Sequence, residues 1–325
     1  LKIYGPIFSW RLGISLGVDL VEPAPGYDKI CSFNCLYCQL GTRSEKTVKP
    51  RSFGDFSDLA QRLKKTLQGL KPKPDYITFS GVGEPTLNID LGQIAREIRK
   101  TTDIPLAILT NASLTTDEKV RASLEEFDLV VAKLDAPNEA LFKKINRPHP
   151  GLDFEDIVSG IRKVRAPVAI QTMLFRTKDL DNTKPEVIDG LIRLYKEISP
   201  RQIQLDIPSR PTPLDKEGGK GEIERLSEKE LREIAEYVAR ETSIETIYYQ
   251  PPQPAALERE ALDLTGSLKA LLARRPVTIL EASLAFGVDE EEVLKIIKQL
   301  EKENLLECFH TEERTFYKLK PAKGQ

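Results

Sequence analysis

Three of the four cysteines in this 325-residue chain fall within eight positions, as Cys31-Ser32-Phe33-Asn34-Cys35-Leu36-Tyr37-Cys38. The spacing is C-x3-C-x2-C, and three thiolates so close along one loop can hold three irons of a cubane cluster. The fourth iron is then left open to an outside ligand. A structural zinc needs a fourth protein ligand, and the two histidines, His149 and His310, lie far off in the sequence. A disulfide would strand one thiol, and four cysteines cannot staple a chain of this length. The polar, turn-forming Asn34 between the thiols argues against three merely buried cysteines. Cys308 has no cysteine near it and reads as a small buried apolar side chain.

The elements that must carry this loop are legible from periodicity. Short apolar runs at 14–21, 76–80, 104–110, 129–134, 168–175 and 203–207 are bounded by proline, glycine or polar residues. Such runs read as buried parallel strands. Between them lie stripes at helical spacing: Leu59, Leu63, Leu67 and Leu70; then Leu91, Ile94, Ala95 and Ile98; then Val187, Ile188, Leu191, Ile192 and Tyr195. Asp117, Asp153 and Thr183 stand where helix N-caps or first-turn residues belong. Strands alternating with helices imply βα units wound with one hand, in an α/β fold. Periodicity alone leaves a curled barrel and an open doubly wound sheet equally possible. In both, the cysteine loop follows the first strand, at the end where parallel α/β folds place their chemistry.

The pattern changes after Pro208. Residues 209–213 are proline-rich and 217–221 contain three glycines, which reads as a mobile loop. A helix is expected over 228–240 and a strand over 244–250. Pro251, Pro252 and Pro254 then form a stiff spacer. Helices at 268–273, 278–286 and 290–300, followed by two strands within 305–319 joined by a polar turn at 311–314, make a winged-helix pattern. The expected domains are a barrel with its extension over 1–250, a linker over 251–265, and a winged-helix-like domain over 266–325.

Composition narrows the class. Lysine plus arginine number 48 against 50 acids, and 40% of residues are hydrophobic, enough for a large core. A histone-like polycation and a disordered acidic tail are both excluded. No apolar run approaches 18 residues and no charged-then-apolar leader precedes Tyr4, so a soluble cytoplasmic protein with no membrane partner is expected. The chain opens at Leu1 and its one methionine is Met173, so the initiator is expected to be missing.

Charge is uneven. Residues 1–75 hold twelve lysines and arginines against seven acids, including Arg43, Lys46, Lys49 and Arg51 just after the cysteines. That basic front leaves an RNA substrate open. Residues 266–320 hold nine basic residues against ten acids, and the third helix begins Asp289-Glu290-Glu291-Glu292. These acids suit a helix N-terminus but repel phosphates, which weighs against DNA binding. A lid, substrate-presenting or protein-docking module is the better expectation.

The motifs together carry a resemblance. The cysteine loop, with aromatic Tyr37 before its last thiol, resembles the signature of the radical S-adenosylmethionine (SAM) superfamily. Phe79-Ser80-Gly81-Val82-Gly83-Glu84-Pro85-Thr86 after the second strand is similar to that superfamily's glycine-rich motif, and Leu109-Thr110-Asn111-Ala112 ends the third strand. Tyr4-Gly5-Pro6, Arg11-Leu12-Gly13 and Ser15-Leu16-Gly17-Val18-Asp19 resemble an Fe–S oxidoreductase subgroup related to wyosine-base synthases. The resemblance implies a partial (β/α)6 barrel, a 4Fe–4S cluster on Cys31, Cys35 and Cys38, and SAM chelating the open iron. Reductive cleavage of SAM then yields methionine and a 5′-deoxyadenosyl radical for hydrogen abstraction. It also implies an electron donor such as ferredoxin or flavodoxin, and a substrate that is RNA, a protein or another molecule. A tRNA-modifying enzyme is one alternative; an iron–sulfur redox sensor that binds DNA through the winged helix is another.

By the same resemblance, the backbone at Tyr37 approaches the adenine, and Gly81 and Gly83 let the backbone approach the methionine ammonium. Gly-Val-Gly-Glu is one residue longer than the common Gly-Gly-Glu form. Glu84 is either a partner of that ammonium or a helix-start acid. Thr110 and Asn111 point at the site or serve the turn after their strand. Lys133 meets either a SAM carboxylate or Asp135, because a lysine in a buried strand requires a partner. Gln171 and Met173 alternate on the fifth strand, Gln171 toward cofactor or substrate and Met173 in packing. The candidate substrate residues are Asp19, Gln204, Asp206 and Arg210, of which Asp206 and Arg210 read equally as loop caps. Tyr4 and Arg11 are candidates to close the open side of the barrel. Arg147 and His149 read first as a solvated turn.

Overall fold

Six of the apolar runs become consecutive parallel strands, and each end of the row gains one more. In a computed structural model the described residues are 2–212, 223–251, 258–259, 263–310 and 314–320. The strands are β1 (Lys2–Ser9), β2 (Gly13–Asp19), β3 (Tyr76–Phe79), β4 (Leu106–Thr110), β5 (Leu129–Lys133), β6 (Val168–Met173), β7 (Gln202–Asp206) and β8 (Thr246–Tyr248). They pair in that order. β1 runs antiparallel to β2 and every other pair is parallel. β1 and β8 do not pair with one another, so the sheet curls without closing into a partial barrel. β1 escapes sequence patterning because Gly5-Pro6 interrupts it and its register slips between Tyr4 and Ile7. Proline in a strand is tolerated at an edge or a bulge, and β1 is an edge.

Helices cover the outside of the sheet: α1 (Leu59–Gln68), α2 (Leu91–Arg99), α3 (Glu118–Leu124), α4 (Glu139–Asn146), α5 (Phe154–Arg162), α6 (Pro185–Ile198) and α7 (Glu228–Thr242). The leucine stripe of α1 and the apolar stripe of α2 bury where their spacing places them. Asp117 and Asp153 cap α3 and α5 through their side chains. Thr183 does not cap α6. Lys184 holds that position without a side-chain bond, and the Thr183 hydroxyl turns back to Asp181 at 2.7 Å.

The C-terminal segment folds as α8 (Leu264–Leu272), α9 (Ile279–Phe286), α10 (Glu290–Lys302) and a hairpin of β9 (Leu306–His310) and β10 (Thr315–Leu319). Its core of Leu268, Leu271, Leu272, Phe286, Val293 and Ile297 takes in Tyr4 of β1. The segment therefore shares apolar burial with the barrel edge, and a separately standing domain is not resolved. Burying a leucine is worth about 1.5–3 kcal/mol, so the three buried leucines of α8 give this core substantial weight. Cys308 is exposed, not buried as its isolation implied; β9 leaves the helices after Leu306, and the thiol turns to Glu301 at 3.4 Å. The expected loop at 217–221, most of the spacer at 251–265 and the turn at 311–313 lie outside the described residues. Among the described residues, no helix is long and apolar enough to cross a membrane.

Candidate active site

The cysteine loop leaves the top of β2 and is stitched down on three sides. Residues Lys29–Cys31 pair in parallel with Ser44–Lys46. Ile30 donates its N–H to Val82 and accepts from the Glu84 N–H, at 3.0 and 2.9 Å. This close approach fixes Gly83: a Cβ there would stand 1.8 Å from the Ile30 carbonyl oxygen. A Cβ on Gly81 would stand 2.0 Å from the Asp19 carboxylate. On the third side, Asn34 N–H reaches the Asn146 carbonyl at 3.0 Å and Leu36 N–H that of Ile145 at 2.9 Å.

Donors are arranged around the sulfurs. Cys31 Sγ accepts from Phe33 N–H and Asn111 Nδ2, and Cys35 Sγ from Asn146 Nδ2, each at 3.4 Å. Lys29 is buried beneath the loop with its Nζ on the Gly41 carbonyl at 2.8 Å. Burial disfavours the Lys29 charge, yet Cys38, Cys35 and Cys31 outweigh it and raise its pKa. Burial pushes the Cys38 thiol up, and Lys29, the Leu40 N–H and Lys318 more than reverse this, leaving it lowered. Burial, with Asp135 and Cys38 nearby, pushes Cys35 up to about 11, and burial with Glu84 drives Cys31 higher still. Among the described residues, no three His, Cys, Asp or Glu groups gather closely enough for a single metal ion. A cubane asks for something different: one thiolate per iron, with N–H donors on the sulfurs to spread the cluster's charge. The donor set fits that group.

Behind the loop, Glu84 is tied off. Its carboxylate accepts from Thr86 N–H and Oγ1 at 3.1 and 2.7 Å, from Thr110 Oγ1 at 2.6 Å and from Asn111 N–H at 2.7 Å. It caps the short 3-10 turn Pro85–Leu87 and bolts the ends of β3 and β4 together. Burial raises its pKa, against the pull of these bonds. Asn111 continues the knot forward, donating to Ser32 Oγ at 2.8 Å as well as to Cys31. Asp135 forms a second knot, accepting from Tyr37 Oη, Asn146 Nδ2 at 2.7 Å and Met173 N–H at 2.8 Å. Lys133 is not on Asp135. Its Nζ lies 4.9 Å over the Tyr37 ring.

In front of the loop lies a cavity of about 1,030 Å³, lined by Tyr37, Cys38, Gly81, Gly83, Lys133, Gln171, Met173, Asp206 and Arg210, among others. Asp206 takes Arg11 Nη1 at 3.0 Å and Gln171 Nε2 at 2.5 Å, joining the β1–β2 turn to the far strands. Trp10 meets Tyr249 edge-on at 6.0 Å across the gap between the sheet edges. Gln204 is in register with Gln171 but fully buried, bonded to Gln202 at 2.9 Å and not among the lining residues. Asp19 sits behind Gly81 with Arg274 at 2.9 Å. Arg210 holds Glu281 of α9 with both terminal nitrogens, at 2.7 and 2.9 Å. The C-terminal segment thus forms one wall of the cavity, and Lys318 of β10 donates to the Leu40 carbonyl next to the cysteine loop.

Sequence reasoning did not find Lys29, Asn146, Arg274 and Lys318. Lys29 stands only two residues before Cys31, but Asp28 and Lys29 read in sequence as an ordinary solvated charge pair. The other three are tied to the site by partners more than a hundred positions away, Cys35 for Asn146, Asp19 for Arg274 and Leu40 for Lys318.

A UPF0026 protein of Synechocystis is 36% identical over 219 residues, which span 66% of this chain and 78% of that protein. The chain belongs to the UPF0026 family. Residues 29–183 of this UPF0026 chain match the Radical SAM superfamily, from the lysine beneath the cysteine loop past the end of β6. The matched segment contains the cysteine loop and strands β3 to β6 of the partial barrel. A protein of Brachyspira hyodysenteriae named GTPase Obg is 33% identical over 301 residues, covering 92% of this chain; the chain spans 42% of that relative's length. Among solved structures, Streptococcus suis SuiB bound to S-adenosylmethionine superposes with a TM-score of 0.51 at 18% identity. That superposition covers 69% of this chain and 49% of SuiB, and it shows a shared fold.

Proposed function

We propose that this UPF0026 chain is a radical SAM enzyme whose Cys31, Cys35 and Cys38 hold a 4Fe–4S cluster and whose cavity holds SAM beside it. Bound there, the cluster supplies the electron that cleaves the sulfonium C–S bond of SAM, giving methionine and a 5′-deoxyadenosyl radical that takes hydrogen from the substrate. The observation that carries this reading is the C-x3-C-x2-C loop, with N–H donors on its thiols, opening onto a large cavity at the strand ends. Lys133 and Gln171 present polar groups to that cavity, and Tyr37 forms part of its wall. The bonds of Glu84, Thr110, Asn111 and Asp135 make them positioning residues, which hold the loop at its working height. A low-potential donor such as ferredoxin or flavodoxin supplies the electron.

The C-terminal segment is proposed as a winged-helix-like module that walls the cavity. The acids at the start of α10, Glu290, Glu291 and Glu292, are exposed and repel nucleic acid. An RNA substrate, which the likeness to wyosine-base synthases raised, loses part of its support. Of the four cations after the cysteines, Arg43 is paired with Asp28 and Arg51 with Glu45, each at 2.8 Å. The deciding experiment is anaerobic reconstitution of the chain and of Cys35→Ala, followed by dithionite and SAM. The native chain gives brown absorbance and 5′-deoxyadenosine. If the alanine chain retains either one, Cys35 is not a cluster ligand.

A further inference from the structure

The wall that the C-terminal segment adds to the cavity carries more positive charge than its carboxylates neutralise. Among the described residues, the lining holds six basic residues, Arg11, Lys133, Arg210, Arg274, Arg275 and Arg314, against two acids, Asp206 and Glu281. On the wall itself, Arg210, Arg274 and Arg275 face two carboxylates, Glu281 and, just behind the surface, Asp19. Arg274 is taken by Asp19 at 2.9 Å and lies 5.0 Å over the Tyr4 ring. Arg210 takes both oxygens of Glu281 and also donates to the Pro276 carbonyl at 2.5 Å.

Arg275 is what remains. Its Nη2 stands 3.8 Å from Glu281 Oε1, beyond hydrogen-bond reach. Its Nε is buried and has no hydrogen-bond partner among the described residues. Burial, and then the like charge of Arg210, hold the Arg275 pKa down to about 9. A guanidinium so placed costs stability, and an apolar side chain of similar volume would serve packing better. It also faces a cavity, where a planar fork of N–H donors suits a phosphate or carboxylate held by two bonds.

We infer that Arg275, with Arg210 and Glu281 holding its wall in place, forms a subsite for an oxyanion, the phosphate or carboxylate group of the substrate. The inference rests on the cavity being the SAM and substrate chamber proposed above. A bound oxyanion offsets the excess positive charge of the Arg210–Glu281–Arg275 cluster and gives the terminal N–H groups of Arg275 the acceptor that Glu281 does not supply. It also sets the substrate's polar end on the C-terminal wall of the chamber that contains Cys38 and Tyr37.

The test uses the full chain, reconstituted anaerobically and saturated with SAM, and titrates inorganic pyrophosphate and succinate calorimetrically. The native chain is expected to bind one of the two, more weakly as salt rises, and preference for pyrophosphate or succinate assigns the group as phosphate or carboxylate. Arg275→Met should weaken that binding at least about tenfold, the loss of one charge-assisted bidentate contact. Arg275→Lys should bind between the two, because an ammonium keeps the charge but cannot make both bonds of the fork. Arg275→Met should also melt no lower than the native chain, because it removes an incompletely paired buried charge. Native protein that binds neither anion overturns the inference, and so does a methionine chain that binds as tightly as the native one. A methionine chain that melts lower shows Arg275 to be structural and overturns it as well. SAM affinity is read in the same samples. SAM binding without anion binding overturns the subsite alone, and loss of both overturns the chamber itself.

Discussion

Glu84→Gln and Glu84→Ala decide whether the acid of the glycine motif touches cofactor or holds the site together. Glu84 is 2% exposed and its two oxygens satisfy four donors: Thr86 N–H, Thr86 Oγ1, Thr110 Oγ1 and Asn111 N–H. In the glutamine chain, the amide oxygen can keep the three donors at Oε1, but its NH2 then faces the Asn111 N–H. One buried donor loses its partner at about 1–3 kcal/mol, so a loss of about 2 kcal/mol is expected. In the alanine chain the two hydroxyls can rotate to other acceptors, while the Thr86 and Asn111 N–H groups cannot. Two orphaned amides put that loss at about 4 kcal/mol, a large fraction of the roughly 5–15 kcal/mol that holds a protein folded. The assay is urea unfolding of the cluster-free chains under reductant, with SAM affinity measured separately on reconstituted protein. The order native, glutamine, alanine in unfolding midpoint is the expected result. A glutamine chain with the native midpoint and a tenfold weaker grip on SAM would refute the argument, because Glu84 would then be spending its charge on the cofactor.

Two further outcomes follow from the same geometry. Gly83→Ala drives a Cβ to 1.8 Å from the Ile30 carbonyl, a backbone atom that cannot step aside. A destabilisation of about 3 kcal/mol and a clear drop in iron bound per chain after reconstitution are expected, and native iron content would show that the loop tolerates displacement. Glu281 is held at about 2 although burial pushes it up, because Arg210, Arg275 and the Thr278 N–H outweigh burial. A depressed carboxylate contributes fully above its ordinary value of 4.5 and loses that contribution as pH falls toward about 2. The gap in melting temperature between the native chain and Glu281→Gln should therefore be widest above pH 4.5 and close as pH approaches 2. A gap of constant size across that range would show that the contact works by shape and not by charge.

The part of the site written in the sequence is the part made by neighbours in the chain. Eight consecutive residues carry the cysteines, and their role is legible without any knowledge of what lies around them. Strands β2 to β7 are legible because a buried parallel strand must be apolar along its whole length, whatever it packs against. Polar side chains at strand ends are a different case. Asp206, Gln204 and Arg210 look alike in sequence, as polar residues where a substrate belongs. Their fates separate only through partners that composition cannot supply: Arg11 for Asp206, Gln202 for Gln204, and Glu281 for Arg210. A pattern read along the chain shows that a side chain is polar and inward, but not whether its hydrogen bonds are already taken.

The C-terminal segment carries this point furthest. Its helices are legible one by one, and its apolar spacing suggests a module with a core of its own. That core forms and takes in Tyr4 of β1, and the unclosed sheet gives the reason. Because β1 and β8 do not pair, the barrel keeps an open side, and exposed strand edges are covered in stable proteins. Here the covering is done by side chains from both ends of the chain. Trp10 meets Tyr249, Arg11 meets Asp206, Tyr4 enters the core of α8, and Arg274 comes back to Asp19. A segment that existed only to seal the edge would be apolar where it faces the barrel. This one instead brings four cations, counting Lys318 against the cysteine loop with Arg274, Arg275 and Arg314 on the cavity wall. Arg274 and Lys318 are taken up by the seal itself, on Asp19 and on the Leu40 carbonyl, which leaves Arg275 as the buried charge that sealing does not call for. If the oxyanion subsite proposed above is correct, Arg275 is therefore the position at which a change would alter substrate choice without disturbing the cysteine loop.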